Sequence, residues 1–86
     1  MAGYSIEFLK TAQKELSKLP KGTQKRIIEK IEALINNPYP PDTKKLKNGN
    51  GRFRIRVGNY RIIYRIENEK LIILIIKIGH RREIYQ

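Results

Sequence analysis

The stretch that decides the fold is Arg52-Phe53-Arg54-Ile55-Arg56-Val57-Gly58-Asn59-Tyr60-Arg61-Ile62-Ile63-Tyr64-Arg65-Ile66. Residues 52–57 alternate without a fault: Phe53, Ile55 and Val57 fall on one face, Arg52, Arg54 and Arg56 on the other. That is the period-two pattern of a strand with one buried face. Gly58-Asn59 is a two-residue hairpin signal, and Tyr60–Ile66 reads as the returning strand. A turn of this length sets Val57 opposite Tyr60, Arg56 opposite Arg61, Arg54 opposite Ile63 and Arg52 opposite Arg65. Tyr60 and Tyr64 then belong to the core side.

Outward from the hairpin, Glu67–Lys70 forms a second turn and the nearly all-apolar Leu71–Ile78 predicts a central strand covered on both faces. Gly79 breaks it, and a basic tail follows from His80 to Gln86. On the other side, residues 43–51 read as a polar loop. Tyr4, Ile6 and Phe8 alternate as a first strand. Ala12, Leu16 and Leu19 recur at helical spacing, and Pro20 and Gly22 stop that helix. Thr23 is the expected N-cap of a second helix, whose stripe is Ile27, Ile28, Ile31, Leu34 and Ile35. Asn36-Asn37-Pro38 ends it. The order is β-α-α-β-β-β, an α+β fold with a helical hairpin packed on a mainly antiparallel four-stranded sheet.

The chain has 86 residues, which predicts a single domain over 1–86. It has no cysteine and one histidine, which argues against thiolate metal sites and most histidine geometries; no cofactor or metal is expected. The Leu71–Ile76 apolar run is far below the ~20 residues of a membrane span, and no signal peptide is visible, so a cytoplasmic protein is expected. The net charge is +11. Residues 44–86 hold twelve Lys/Arg against three Asp/Glu, a net +9, while residues 1–43 hold seven against five, a net +2. The basic half should meet a polyanion, nucleic acid before an anionic membrane.

The arginine face carries the chemistry. Like charges directly opposed on a sheet repel. Here Arg56 faces Arg61 and Arg52 faces Arg65. The guanidinium heads can splay and solvate, or an anion can sit between them, and a phosphodiester suits the planar arginine fork. Ile63, Ile72, Leu74 and Ile76 share this face, which reads as a groove with an apolar floor and cationic walls. In the tail, strand geometry would put Arg81 and Tyr85 on one side and His80 on the other. Tyr85 offers a ring for base stacking. Lys44, Lys45 and Lys47 read as a phosphate-contacting loop. The bland alternatives are a solvated sheet face, a surface histidine, a half-buried terminal tyrosine and a solvated lysine loop.

With these residues in view, the chain resembles RelE-type toxins of the RelE/ParE superfamily over nearly its whole length. The resemblance rests on Lys18-Leu19-Pro20, the Leu34–Pro38 helix exit, Lys45-Leu46-Lys47, Phe53–Gly58, Asn59–Tyr64 and Ile78-Gly79-His80-Arg81-Arg82-Glu83-Ile84-Tyr85. The last segment favours the RelE branch over the ParE branch, which poisons DNA gyrase. The resemblance implies a metal-independent endoribonuclease that cuts mRNA in the ribosomal A site and is silenced by an acidic, RelB-like antitoxin. In that chemistry the RNA 2′-hydroxyl attacks the adjacent phosphorus and the 5′-oxygen leaves, giving a 2′,3′-cyclic phosphate.

By the resemblance, Arg61 holds the scissile phosphate, Arg81 protects the leaving oxygen and Tyr85 orients the nucleotide. Arg54 and Arg56 stand where related toxins carry lysine. Lys44, Lys45, Lys47, Arg52, Arg65 and Arg82 are the expected RNA contacts. An arginine almost never accepts a proton, so the base is open: Arg56 stabilising a 2′-oxyanion while water or the ribosome takes the proton, His80 as base, or slow chemistry. The expected partners are the antitoxin, the ribosome and mRNA, with neither membrane nor small-molecule cofactor. The antitoxin could cover the arginine groove or displace the tail. Three rival readings are a ParE-like gyrase inhibitor, a non-enzymatic RNA- or ribosome-binding module, and a degenerate toxin kept for antitoxin binding.

Overall fold

The computed structural model describes residues 3–47 and 51–84. Strand β1 spans Ser5–Phe8, helix α1 Lys10–Ser17, helix α2 Lys21–Ala33, strand β2 Lys44–Lys45, strand β3 Arg52–Val57, strand β4 Tyr60–Glu67, strand β5 Ile72–His80 and helix α3 Arg81–Ile84. The α+β class and the helical hairpin are as expected. The sheet has five strands rather than four, in the order β1-β5-β4-β3-β2. β1 runs parallel to β5 and the other pairs are antiparallel. The fifth strand is β2, inside the stretch read as a loop: Lys44 pairs with Arg54 and Lys45 with Phe53. Two residues are too few to show a period of two.

The helices are joined across Pro20. Its carbonyl accepts the first helical bond of α2 from the Gln24 N–H at 2.9 Å, and the Gln24 side-chain amide donates to the Leu19 carbonyl at 2.8 Å. One side chain therefore satisfies a carbonyl in the turn between α1 and α2. Pro20, not Thr23, precedes α2, so Thr23 and Gly22 both lie inside its first turn. Ala12, Ile27, Ile31 and Leu34 from the helices close over Ile55, Ile62, Tyr64, Ile73, Ile75 and Ile78 from the sheet, all buried.

The β3–β4 register is the one the turn dictates, from Val57–Tyr60 to Arg52–Arg65. Between β4 and β5 the register slips: Ile63 pairs with Lys77, but Tyr64 pairs with Ile75. Ile76 is the extra residue of a bulge. It reverses the alternation of β5, so Ile73 and Ile75 are buried before it and Ile78 after it. Glu15 of α1 accepts the Ile78 N–H at 2.9 Å, which secures the backbone beyond the bulge. The outward residues Ile72, Leu74 and Ile76 are half-buried rather than covered, so β5 is sealed on one face only. Among the described residues, no helix is long and apolar enough to cross a membrane.

Gly58 has φ +58° and is the first central residue of the hairpin, while Asn59 keeps a negative φ. This is the type II′ pattern, which favours glycine at that place. A Cβ there would lie 3.0 Å from Arg26 Nη2, a flexible tip that can move, so backbone strain decides the cost. Gly58→Ala should destabilise the domain by about 1–3 kcal/mol. Thermal melting should show this as a fall of several degrees, and an unchanged midpoint would refute the turn assignment.

Candidate functional site

The outward face of β3 and β4 places like charges in register. Arg56 lies opposite Arg61, Arg52 opposite Arg65, and Lys44 opposite Arg54. The sheet resolves the Arg56–Arg61 conflict by sending the two side chains apart. Arg61 folds back and is 8% exposed, its Nη1 donating to the Gly58 carbonyl at 3.1 Å and the Tyr60 carbonyl at 3.0 Å. Arg56 stays exposed. The intervening Asn59 carbonyl accepts the Arg81 N–H at 2.8 Å. Three successive carbonyls of one turn thus hold the Arg61 guanidinium and the backbone that begins the basic tail. Across β5, the position opposite Arg61 is Gly79, which has no side chain.

These residues border a cleft of about 310 Å³ lined by Asp42, Lys44, Arg54, Ile55, Arg56 and Arg61. Four of the expected site residues meet here: Lys44, Arg54, Arg56 and Arg61. Arg52 and Arg65 share the face but lie at the far end of the hairpin. Lys45 pairs with Phe53 and takes the opposite face, and Lys47 lies beyond β2. Ile63, Ile72, Leu74 and Ile76 sit beside the cleft toward β5 and do not floor it.

The tail turns helical at Arg81, in place of the extended geometry expected. Arg81 and Arg82 are exposed at its start. His80 pairs with Tyr60 on the helix side of the sheet, its ring edge-on to Tyr60 at 5.7 Å. Its Nδ1 accepts the Arg82 N–H at 3.3 Å. The imidazole is therefore turned away from the cleft and holds the first turn of α3. Tyr85 lies outside the described residues.

Asp42 is the cleft residue that sequence reading missed. It lies in the turn just before β2, closed by the Thr43 N–H on the Pro40 carbonyl at 2.9 Å, and no periodicity of the sequence marks it. Its Oδ2 accepts from Lys30 Nζ of α2 at 2.9 Å. That hydrogen bond holds the Asp42 carboxyl below its ordinary value, against the opposing effect of partial burial; the nearby Arg56 charge pulls the same way. The loop carrying Asp42 is fixed from beneath by Tyr64. The Tyr64 hydroxyl donates to the Pro38 carbonyl at 2.8 Å and bonds the Thr43 hydroxyl at 3.2 Å. Burial pushes the Tyr64 hydroxyl pKa up, so it stays a donor. Its ring stacks on Phe53, which meets Tyr39 edge-on.

On the opposite side of the sheet, a groove of about 540 Å³ runs between β1 and the helices. Tyr4, Ile6, Phe8, Leu16, Ile28 and Ile35 are among its lining residues. β1 is an edge strand there, and Ile28 is 38% exposed.

Helices closing one face of a small mixed sheet, with a cationic cleft on the other, define an α+β domain with a basic open face. The comparisons make that class specific. Residues 6–85 match the family described as the ParE toxin of type II toxin–antitoxin systems. Toxin RelE3 of Methanocaldococcus jannaschii is 38% identical, with 93% of each chain covered. The mRNA interferase toxin RelE of Escherichia coli is 26% identical, covering 95% of this chain and 90% of that one. The archaeal RelE–RelB complex from Pyrococcus horikoshii contains a chain of the same fold, with TM-score 0.81, 31% identity and 92% and 96% coverage. The chain belongs to the RelE/ParE superfamily of type II toxins, as a RelE-type member.

Removing the Tyr64 hydroxyl should loosen the wall of the cleft that carries Asp42 and Lys44. Tyr64→Phe keeps the ring stack and leaves the Pro38 carbonyl without its donor, at a cost of about 1–3 kcal/mol. Urea unfolding should show this loss for Tyr64→Phe and a smaller one for Thr43→Val, which keeps the Tyr64–Pro38 bond. Equal effects would mean that Thr43 is the main anchor.

Proposed function

We propose that this chain is an endoribonuclease that cleaves mRNA in the ribosomal A site and is held silent by an acidic RelB-like antitoxin. The observation that carries the reading is the grouping of Lys44, Arg54, Arg56 and Arg61 in one cleft, with the Arg81 backbone bonded to the same turn. Cleavage by the RNA's own 2′-hydroxyl needs an in-line approach, neutralisation of a doubly charged phosphorane and protection of the leaving oxygen. Fixed guanidinium groups supply the second and third without metal chemistry. Arg61 is prepaid in this respect: the turn carbonyls already hold its side chain, so little rotamer freedom is lost when phosphate binds. Arg56, opposite it, closes on the phosphate from β3, and Arg54 and Lys44 extend the contact along the RNA. Arg81 acts at the leaving 5′-oxygen, and Tyr85 stacks on the substrate nucleotide. Arg52, Arg65, Lys45, Lys47 and Arg82 add longer-range attraction to RNA and ribosome.

The M. jannaschii and E. coli relatives named above support the toxin reading, the latter by its description as an mRNA interferase. The P. horikoshii complex supports an antitoxin partner. We place that partner's amphipathic segment on the apolar groove between β1 and the helices, with its acidic part reaching the basic half. The toxin then works in the cytoplasm, where ribosomes are.

A second reading is gyrase inhibition, supported by the ParE description of the matched family. A supercoiling assay with gyrase distinguishes it.

Primer extension on a messenger translated in a cell-free system tests the first reading. Codon-phased cuts should appear only with ribosomes. Arg81→Ala should abolish them, and Arg61→Ala should slow them by about 10²–10³-fold, the usual loss for one transition-state charge contact. Circular dichroism should confirm that both variants fold. A folded, antitoxin-free protein that makes no cuts would overturn the reading.

A further inference from the structure

The cleft contains four cations and one carboxylate. An acid works against phosphate binding at such a place, since two negative charges at contact distance repel. Yet Asp42 is held there by two independent anchors. Lys30 bonds its Oδ2 from α2, and Tyr64 fixes the residues around it through Pro38 and Thr43.

Asp42 lies in the turn that leads into β2, which the Thr43 N–H closes on the Pro40 carbonyl at 2.9 Å. It lines the cleft beside Arg56, whose charge helps to lower its carboxyl pKa, and Arg56 lies opposite Arg61. Asp42 thus reaches the cleft from the segment before β2, Arg56 from β3 and Arg61 from β4. Beyond Arg61, its partner on β5 is Gly79, just before Arg81. Asp42 and Arg81 therefore flank Arg61 from opposite sides, at the same end of the sheet.

We propose that Asp42 is the proton acceptor for the attacking 2′-hydroxyl. The inference rests on the endoribonuclease reading above. As the O2′–P bond forms, the hydroxyl proton passes to the Asp42 carboxylate. The P–O5′ bond breaks with the Arg81 guanidinium stabilising the leaving oxygen, which takes its proton from solvent water. Asp42 then returns its proton to solvent, so the products are a 2′,3′-cyclic phosphate and a 5′-hydroxyl. An in-line displacement needs its base and its leaving-group partner on opposite sides of the phosphorus, and the sheet order, with Asp42 leading into β2 and Arg81 following β5, sets the two on opposite sides of Arg61. The other candidates fit less well. Arginines do not give up a proton near neutral pH, and His80 lies on the other face of the sheet.

The charged and titratable groups around Asp42 are Lys30, Lys44, Arg54, Arg56, Arg61 and the Tyr64 hydroxyl. With its carboxyl held below the ordinary range, Asp42 is ionised throughout the pH span in which ribosomes are intact. Single-turnover cleavage on programmed ribosomes, followed between about pH 6 and 8.5, reads its role. Wild type should cut at a rate nearly independent of pH. Asp42→Asn should cut about 10²–10⁴-fold more slowly at pH 7, with a rate that rises about tenfold per pH unit as hydroxide replaces the carboxylate. Asp42→Glu should recover part of the loss. Lys30→Met, which removes the anchor and keeps the carboxylate, should stay within about tenfold of wild type.

An Asp42→Asn protein that cuts as fast as wild type overturns the proposal. So does one that is slow but pH-independent, or that matches Lys30→Met, since Asp42 would then serve only as an anchor. A wild-type rate that itself rises tenfold per pH unit also overturns it and points to Lys44. If wild type cuts nothing at any pH, the endoribonuclease reading falls and this inference falls with it; a cutting wild type with an indifferent Asp42→Asn removes this inference alone.

Discussion

Most of the outer face follows from one constraint, the two-residue turn at Gly58-Asn59. A turn of that length admits one register, and with this sequence the register puts Arg56 against Arg61. The repulsion is unavoidable in the strand pair, and the turn itself supplies the remedy. Its carbonyls at Gly58 and Tyr60 take up the Arg61 guanidinium, while the carbonyl at Asn59 takes the Arg81 backbone N–H. One turn therefore sets the strand register, withdraws Arg61 from Arg56 and fixes where the tail begins. The cleft is the space that this withdrawal leaves between the two arginines, closed on its third side by Asp42 and Lys44.

The hairpin and the helix pair were legible in the sequence because each carries its own periodicity over six or more residues. What could not be read was set by contacts between distant segments. β2 is two residues long and exists only because β3 offers it an edge. The parallel pairing of β1 with β5 is a choice of sheet order, which alternation in Tyr4–Phe8 does not encode. The bulge at Ile76 hides inside an unbroken run of isoleucine and leucine, where either face could turn inward. Without its extra residue, Gly79 would exchange faces with its neighbours and a side chain would stand across from Arg61. His80 was open to a place near the chemistry and instead lies beside Tyr60.

The site was legible to the same extent and for the same reason. Arg54, Arg56 and Arg61 follow from the alternation of β3 and β4, so they could be grouped from residue order. Lys44 was read as a phosphate contact from its charge, but its place beside Arg54 came only with the β2–β3 pairing, and Asp42 came with the turn before β2. Tyr64 looked like ordinary core and is core, yet its hydroxyl at the edge of the sheet holds the loop that brings both residues to the cleft. A buried phenol reads as packing in a sequence because its one polar atom has no pattern of its own.

That the cleft carries arginine rather than lysine at 54 and 56 has a physical consequence for the whole arrangement. A lysine can both hold phosphate and, when its pKa is lowered, accept a proton. A guanidinium holds phosphate better through its planar fork and stays protonated. Under the proposed RNA cleavage, a cleft built from arginines gains affinity for a developing phosphorane and loses the capacity to take the 2′ proton, so that proposal divides binding and proton transfer between different side chains. Asp42 is the cleft residue whose chemistry suits the second task. Its ion pair to Lys30 limits the cost of a carboxylate among cations, because the local charge around it is already compensated from the helix side. The same proposal accords with the loop from Pro38 to Thr43 being tied down by a buried hydroxyl rather than left to solvent. A fixed cation tolerates some displacement in binding a charged phosphate, since Coulomb attraction falls slowly with distance. Proton transfer needs hydrogen-bond contact, so the group assigned to it has to stand on the better-anchored piece of backbone.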